Sequence, residues 1–88
     1  DGCARMPACE IDLVARKGRF VVFVEVKSRR TQALALEAVT PQLRARLEEA
    51  ARVSRRRGMQ DLLWRFDAVL LAPGRLPRHM RDAWRAQA

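Results

Sequence analysis

Few residues of this sequence are suited to binding a soft metal or to crossing a membrane. The 88 residues include one histidine, His79, and two cysteines, Cys3 and Cys9, too few for any zinc-ligand spacing. Because two cysteines six residues apart make no disulfide framework, we expect free thiols in a reducing cytoplasm. No apolar run approaches the roughly 18 residues of a membrane span, and no charged-then-apolar leader is found. The sequence thus predicts a soluble cytoplasmic protein without a membrane partner.

Several common catalytic signatures are also missing. There is no glycine-rich phosphate loop, and no serine or cysteine nucleophile is paired with a histidine.

At 88 residues the chain is expected to form a single small domain that buries about 60–65% of its unfolded surface. Nearly half of the residues are apolar, which argues against disorder. Residues 1–9 contain Gly2 and Pro7 without periodicity and are expected to be irregular.

The charge is strongly of one sign. There are 18 Lys and Arg residues against 10 Asp and Glu, which gives a formal net charge of +8. Only Lys17 and Lys27 are lysines, so the other 16 basic residues are arginines. Arginine favours bidentate contact with phosphate. This balance predicts a polyanionic partner, nucleic acid ahead of membrane.

Two apolar, β-branched runs separated by a short polar turn predict a β-hairpin. The runs are residues 10–15 and 20–27, and the turn between them contains Gly18. Side chains alternate along a strand, and directly opposed residues share a face. One face of the hairpin is therefore expected to carry Glu10, Asp12, Glu25 and Lys27. The other face is expected to carry Ile11, Leu13, Val22, Val24 and Val26.

The register of this hairpin decides which acids meet. In one register Glu10 faces Glu25, and in a register shifted by two residues Asp12 faces Glu25. Opposed side chains lie about 5 Å apart, so like charges there repel and need a positive neighbour. Two interpretations remain open. Lys27 and nearby arginines neutralise the acids as a structural ion cluster, or a divalent cation such as Mg²⁺ binds their oxygens.

A helix and a third strand follow the hairpin. Thr40 and Pro41 are typical of an N-cap and a first helical position, and Gly58 of a C-terminal stop, so we predict a helix over 40–57. One face of this helix would carry Leu43, Leu47, Ala50, Ala51 and Ser54. The apolar run at 62–71 predicts an interior strand, parallel to the second hairpin strand. One face of that strand would carry Trp64, Phe66, Ala68 and Leu70.

The remaining patterns are weaker. On the other face of the third strand, Arg65 and Asp67 pair with each other, the alternative that we favour, or Asp67 points towards the acid cluster. Residues 28–38 are expected to link the hairpin to the helix. Residues 79–88 predict a short amphipathic helix that packs Met80, Ala83 and Trp84. The lone His79 is expected at the surface or in packing rather than as a metal ligand.

These blocks resemble, in order, those of a known bacterial family. Asp12 followed by Glu25-Val26-Lys27 resembles the D…ExK signature of the PD-(D/E)XK nuclease superfamily. The sequence is more narrowly similar to the YraN family at Glu10-Ile11-Asp12-Leu13-Val14-Ala15, Val22-Phe23-Val24-Glu25-Val26-Lys27-Ser28-Arg29, Glu37-Ala38-Val39-Thr40-Pro41 and Arg65-Phe66-Asp67-Ala68-Val69. The resemblance implies an α/β fold with a restriction-endonuclease-like mixed sheet, built from a β-hairpin, a crossover helix and a parallel strand. The family's N-terminal helix and first strand have no counterpart in this sequence.

The resemblance also implies a function and a site. The function is metal-dependent cleavage of DNA, with branched or single-stranded DNA as the expected substrate class and RNA as a further partner. Asp12, Glu25 and the Val26 carbonyl would hold Mg²⁺ or Mn²⁺, and Lys27 would orient water or stabilise the transition state. Glu10 would hold a second metal or contribute to the outer shell. Contacts to phosphate are expected from Arg29, Arg30, Arg44 and Arg46.

Two other functions remain open. The first is a catalytically inactive nucleic-acid-binding module on the same fold, which is favoured by Leu43 at a position where the family tends to place lysine. The second is a basic structural protein bound to ribosomal RNA, which explains the charge but not the three acids in the hairpin. By analogy with resolvase relatives, a homodimer is also expected.

Overall fold

A computed structural model describes residues 9–58 and 61–85, and the side chains from residue 13 onward within those ranges. The elements are β1 (Cys9–Lys17), β2 (Phe20–Ser28), α1 (Gln32–Glu37), α2 (Pro41–Arg56), β3 (Leu63–Leu71) and β4 (Arg78–Trp84). Of the segment predicted to be irregular, residues 1–9, only Cys9 is described, and there the prediction is wrong because Cys9 begins β1. The predicted thiols of Cys3 and Cys9 lie outside this description.

The four strands form one mixed sheet in the order β1-β2-β3-β4. β1 and β2 are antiparallel, β2 and β3 are parallel, and β3 and β4 are antiparallel. The hairpin turn is short because Lys17 pairs with Phe20, and Gly18 supplies the positive φ of 59° that this turn needs. The structure confirms the predicted hairpin, the crossover helix and the parallel third strand.

Helix α2 begins and ends where its capping residues predict. The Thr40 hydroxyl accepts a hydrogen bond from the Leu43 backbone N–H at 3.2 Å, and Gly58 adopts a φ of 97° just beyond the C-cap. The buried residues of the helix are Leu47, Glu48 and Ala51. The predicted apolar face is therefore wrong in one position, since Ala50 is exposed and Glu48 is buried in its place.

A row of stacked rings crosses the sheet beneath α2. Trp64 stacks on Phe23, Phe23 on Phe66, and Phe66 on Trp84, with ring centroids 5.7, 5.8 and 5.2 Å apart. Leu47 and Ala51 of α2 belong to the same buried cluster. Such offset ring pairs add about 0.5–1.5 kcal/mol each beyond the area that they bury. The row joins three strands and thus holds the sheet together on its helix-covered face.

Two segments differ from the sequence prediction. The predicted linker contains the short helix α1, whose N-cap hydroxyl on Thr31 accepts from the Leu34 N–H at 3.1 Å. The predicted C-terminal helix is wrong, because residues 78–84 form strand β4. The ladder between β3 and β4 is irregular: Ala68 pairs with Met80 but Phe66 with Trp84, and Asp82 adopts a φ of 52°. This bulge brings residues at helical spacing to the core from a strand.

The part of the chain that the structure describes contains no helix long and apolar enough to cross a membrane.

Candidate active site

The backbone register of the hairpin places Asp12 directly opposite Glu25, and Glu10 directly opposite Lys27. Of the two registers that the sequence left open, the structure therefore has the one in which Asp12 meets Glu25. Directly opposed positions belong to the same face of a sheet. Position 12 thus shares a face with Glu25 on the evidence of the backbone, while the side chains of residues 9–12 lie outside the description.

Glu25 and Lys27 are buried on the helix-covered face of β2. Glu25 is 0% exposed and Lys27 is 2% exposed, and the Lys27 Nζ lies 3.1 Å from the Glu25 Oε2. A second cation reaches the same carboxylate from α2, since the Arg46 Nη2 lies 4.0 Å from the Glu25 Oε1. A buried charge is tolerated only when it is paired, and in this site one acid is held by cations from two elements.

The predicted main-chain ligand, Val26, lies between these two charged residues. It belongs to an interior strand, where it pairs with Ile11 of β1 and Val69 of β3. Its side chain, like those of Val22 and Val24, is on the opposite face from Glu25, as the alternation of the strand predicts.

An open cavity of about 490 Å³ lies beside this pair, at the end of β2. Its lining residues come from the end of β2 and the residue just after it, from the chain leading into α2 and from the first two turns of α2. They are Lys27, Arg29, Ala38, Thr40, Gln42, Leu43 and Arg46. We call it the Lys27 cavity. Three of these residues are cations, and an acceptor there would meet Lys27 directly. The cavity is suited to an anion beside the buried pair.

The four arginines predicted to contact phosphate are not brought to one place. Arg29 and Arg46 line the Lys27 cavity, whereas Arg30 lines a different cavity. Arg44 lies over the Trp84 ring at 5.9 Å and donates to the Val39 carbonyl at 3.3 Å. Its guanidinium is therefore engaged in packing between α2 and β4.

Asp67 lies on the other face of the sheet, because its register partner in β2 is Val24. The hypothesis that Asp67 points towards the acid cluster is thus wrong, and the pair with Arg65 is confirmed. Arg65 donates to both carboxylate oxygens at 2.9 and 3.0 Å, and the Asp82 backbone N–H donates at 2.9 Å. The His79 Nε2 completes the set at 2.7 Å from the Asp67 Oδ2.

This arrangement fixes the charge of Asp67. Burial raises the pKa of the carboxyl, but the hydrogen bonds from Arg65, the Asp82 N–H and His79 outweigh burial and lower its pKa. In turn, the hydrogen bond to Asp67 raises the pKa of Arg65. The contact with His79 could not be found from the sequence, because it depends on β4 lying beside β3.

A carboxylate metal site in this chain needs the acids of β1. Among the side chains that the structure describes, no three His, Cys, Asp or Glu residues converge as metal ligands. The donor chemistry nevertheless fits a hard cation, because a buried carboxylate, Glu25, stands opposite an aspartate position. A metal-binding role for Asp12, Glu25 and Glu10 stays a prediction.

Fold and site together define a small α/β protein whose mixed sheet carries a buried Glu–Lys pair on the strand opposite an aspartate. The chain belongs to the uncharacterised protein family UPF0102, whose family model matches residues 3–71. The predicted YraN-type family is thereby confirmed.

Relatives of known sequence carry the same family description. The chain is 49% identical over 86 residues to a UPF0102 protein of Maricaulis maris, covering 96% of this chain and 68% of the relative. It is 55% identical over 80 residues to one of Paramagnetospirillum magneticum, with 89% and 62% covered. It is 50% identical over 80 residues to one of Caulobacter vibrioides, with 89% and 64% covered. The chain therefore spans about two thirds of the length of these relatives.

Proposed function

We propose that this chain carries the catalytic centre of a metal-dependent DNA endonuclease of the PD-(D/E)XK type, acting on branched or single-stranded DNA. One observation carries the proposal: the hairpin register sets Asp12 opposite a fully buried Glu25, while Lys27 is buried 3.1 Å from that carboxylate. This combination of acids and lysine matches the needs of phosphodiester hydrolysis.

The residues divide that chemistry between them. Asp12 and Glu25, with the Val26 carbonyl, would hold Mg²⁺ or Mn²⁺, and Glu10 would hold a second ion or an outer-shell water. Such an ion, when bound, supplies Lewis-acid activation of water and charge neutralisation at the phosphoryl group. Lys27 lines the cavity, where its ammonium group would orient the attacking water and stabilise charge that develops on the phosphoryl oxygens.

The Lys27 cavity would receive the scissile phosphate. Arg29 and Arg46 line it and would hold the phosphate oxygens, while Arg30 would contribute from outside it. Contacts of this kind position a nucleic-acid backbone without reading its sequence. The strong positive charge would raise the rate of encounter with DNA. We place this activity in the cytoplasm, with RNA as a secondary partner and a homodimer as the working assembly.

The two lysines of the chain provide a matched test. With Mn²⁺ and a labelled four-way junction, flap or single strand, we expect cleavage to be lost in Lys27→Met and retained in Lys17→Ala, which removes the same charge from the exposed hairpin end. Circular dichroism checks that each variant is folded. Asp12→Asn is the second loss-of-function variant. Equal trace cleavage by wild type, Lys27→Met and Asp12→Asn would show that the activity is a contaminant.

The alternative is a catalytically inactive nucleic-acid-binding module on the same fold. Leu43 favours it, because an apolar side chain lines the Lys27 cavity where the family tends to place lysine. The module predicts salt-sensitive binding without a metal requirement. Calorimetric titration with Mn²⁺ separates the two functions: heat that saturates for wild type and is lost in Asp12→Asn supports the nuclease. No binding at millimolar Mn²⁺ supports the module.

A further inference from the structure

A second cavity lies at the same end of the sheet and has no part in the Glu25–Lys27 site. It has a volume of about 380 Å³ and is lined by Arg30, Thr31, Gln32, Ala72, Pro73 and Arg75. We call it the Arg75 cavity. One chain segment borders both cavities, since Lys27 and Arg29 line the first and residues 30–32 line the second. The two cavities are thus lined by neighbouring residues of the chain at the end of β2.

The loop that presents Arg75 is held in place by hydrogen bonds. The Arg75 N–H donates to the Ala72 carbonyl at 3.2 Å, across a turn with Pro73 second and Gly74 third at a φ of 74°. Proline and a positive-φ glycine at these positions are typical of a type II turn. The Gln32 Nε2 also donates to the Leu76 carbonyl at 2.7 Å. Because the loop is tied to α1, little ordering is needed when a ligand binds.

The Arg75 cavity is positive and uncompensated. Within residues 13–58 and 61–85 no acid lines it, and no carboxylate oxygen lies within 4.0 Å of the Arg30 or Arg75 guanidinium. Some other arginines do have such a partner, since Arg52, Arg65 and Arg85 each lie within 4.0 Å of a carboxylate. Arginines without a nearby acid are free to bind an external anion.

We propose that the Lys27 and Arg75 cavities form one continuous track for the sugar–phosphate backbone of single-stranded DNA, in which Arg30 and Arg75 bind phosphates beyond the scissile one. The proposal rests on the proposed nuclease function and gives it a substrate: a strand that extends several nucleotides past the cleaved bond. Among the described side chains, no aromatic ring lines either cavity. The track therefore binds phosphates rather than stacking bases, and binding is independent of sequence.

The hairpin turn supplies a matched control for charge. Arg16 and Arg19 are exposed beside Gly18, at the opposite end of β2 from Arg30. Nine strand residues separate the two ends by about 30 Å. Arg16→Ala/Arg19→Ala and Arg30→Ala/Arg75→Ala remove the same charge, so a difference between them reports location rather than net charge.

The experiment measures binding of labelled oligothymidine without metal, so that cleavage plays no part. Fluorescence anisotropy is recorded over a range of salt concentrations, with strands of about 4 and about 20 nucleotides, which bracket a short and a long site. Each phosphate contact on a single strand contributes about 0.7 to the slope of log affinity against log salt. We expect the Arg30/Arg75 variant to lose about 1.4 from this slope with the long strand and nothing with the short one.

Three results would overturn the track: an unchanged slope in the Arg30/Arg75 variant, an equal loss in the Arg16/Arg19 control, or an equal loss with short and long strands. Failure of the nuclease function gives a different pattern. In that case cleavage and Mn²⁺ binding are absent, but the variants still differ in their binding of the long strand. Conversely, if the track is wrong and the nuclease is right, Lys27→Met abolishes cleavage while the Arg30/Arg75 variant binds the long strand like wild type.

Discussion

Replacing Asp67 with asparagine tests whether its hydrogen-bond set stabilises the junction of β3 and β4. The substitution keeps the shape of the side chain but removes the charge of a residue that is 0% exposed. It weakens two hydrogen bonds from Arg65 and one from His79. A hydrogen bond to a charged partner contributes about 1.5–3 kcal/mol. Because Arg65 and His79 are partly exposed, we expect a total loss of about 2–3 kcal/mol at neutral pH.

The dependence of this loss on pH is the stronger test. The folded-state pKa of Asp67 is lowered, so its carboxylate contributes stability that is present above the unfolded value of about 3.9. That contribution is lost as pH falls through the folded-state pKa. The difference between wild type and Asp67→Asn should therefore be constant near neutrality and shrink in acid.

Urea denaturation followed by tryptophan fluorescence measures the free energy of unfolding of both proteins between pH 7 and acid. The control is Asp61→Asn, which removes one exposed carboxylate from the turn before β3 and should change stability by less than about 0.5 kcal/mol. A loss for Asp67→Asn no larger than that of the control, or one that does not shrink in acid, would refute the stabilising role of the Asp67 carboxylate.

Two further substitutions address α2 and the buried ion pair. Thr40→Ala removes the hydroxyl that caps the Leu43 N–H and should lower the free energy of unfolding by about 1 kcal/mol, while Thr40→Ser should restore it; equal losses would show that the cap is unimportant. Glu25→Leu/Lys27→Met replaces the pair with apolar side chains and should be as stable as wild type or more stable, whereas Lys27→Met alone should be less stable. A double variant less stable than Lys27→Met would contradict this expectation.

The sequence was sufficient to predict the helices and strands that have a long pattern of apolar residues. The hairpin, α2 and β3 each have either strand alternation, helical spacing with caps, or a continuous apolar run, and all three were predicted within two residues of their bounds. Strand β4 was not predictable in the same way. Its bulge brings Met80, Ala83 and Trp84 to the core at helical spacing, which is also the spacing of an amphipathic helix. No pattern in the sequence predicts the positive φ of Asp82. The six residues of α1 are too few to show a period.

In the candidate site too, some features could be predicted from the sequence and others could not. The shared face of Asp12, Glu25 and Lys27 followed from alternation, which holds in any register that keeps the apolar face together. The pairing of Asp12 with Glu25 depends on the length of the hairpin turn. The sequence allowed two registers that differ by two residues, so it did not decide this pairing. The Asp67–His79 contact and the Arg75 cavity depend on how β4 and its loop lie beside β3. Such contacts join separate segments of the chain, and no local sequence pattern predicts them.

The buried Glu25–Lys27 pair is difficult to explain by stability alone. Every other buried residue that β2 and β3 place on this face is apolar, namely Val21, Phe23, Phe66, Ala68 and Leu70. A small chain has few interior positions, and apolar residues at positions 25 and 27 would stabilise the sheet at least as well as the ion pair does. The pair also lies beside an open, cationic cavity, and the register places Asp12 opposite Glu25. Charge that is retained at a cost in stability, beside an open cavity, is the physical reason for placing the proposed catalytic site at this end of the sheet.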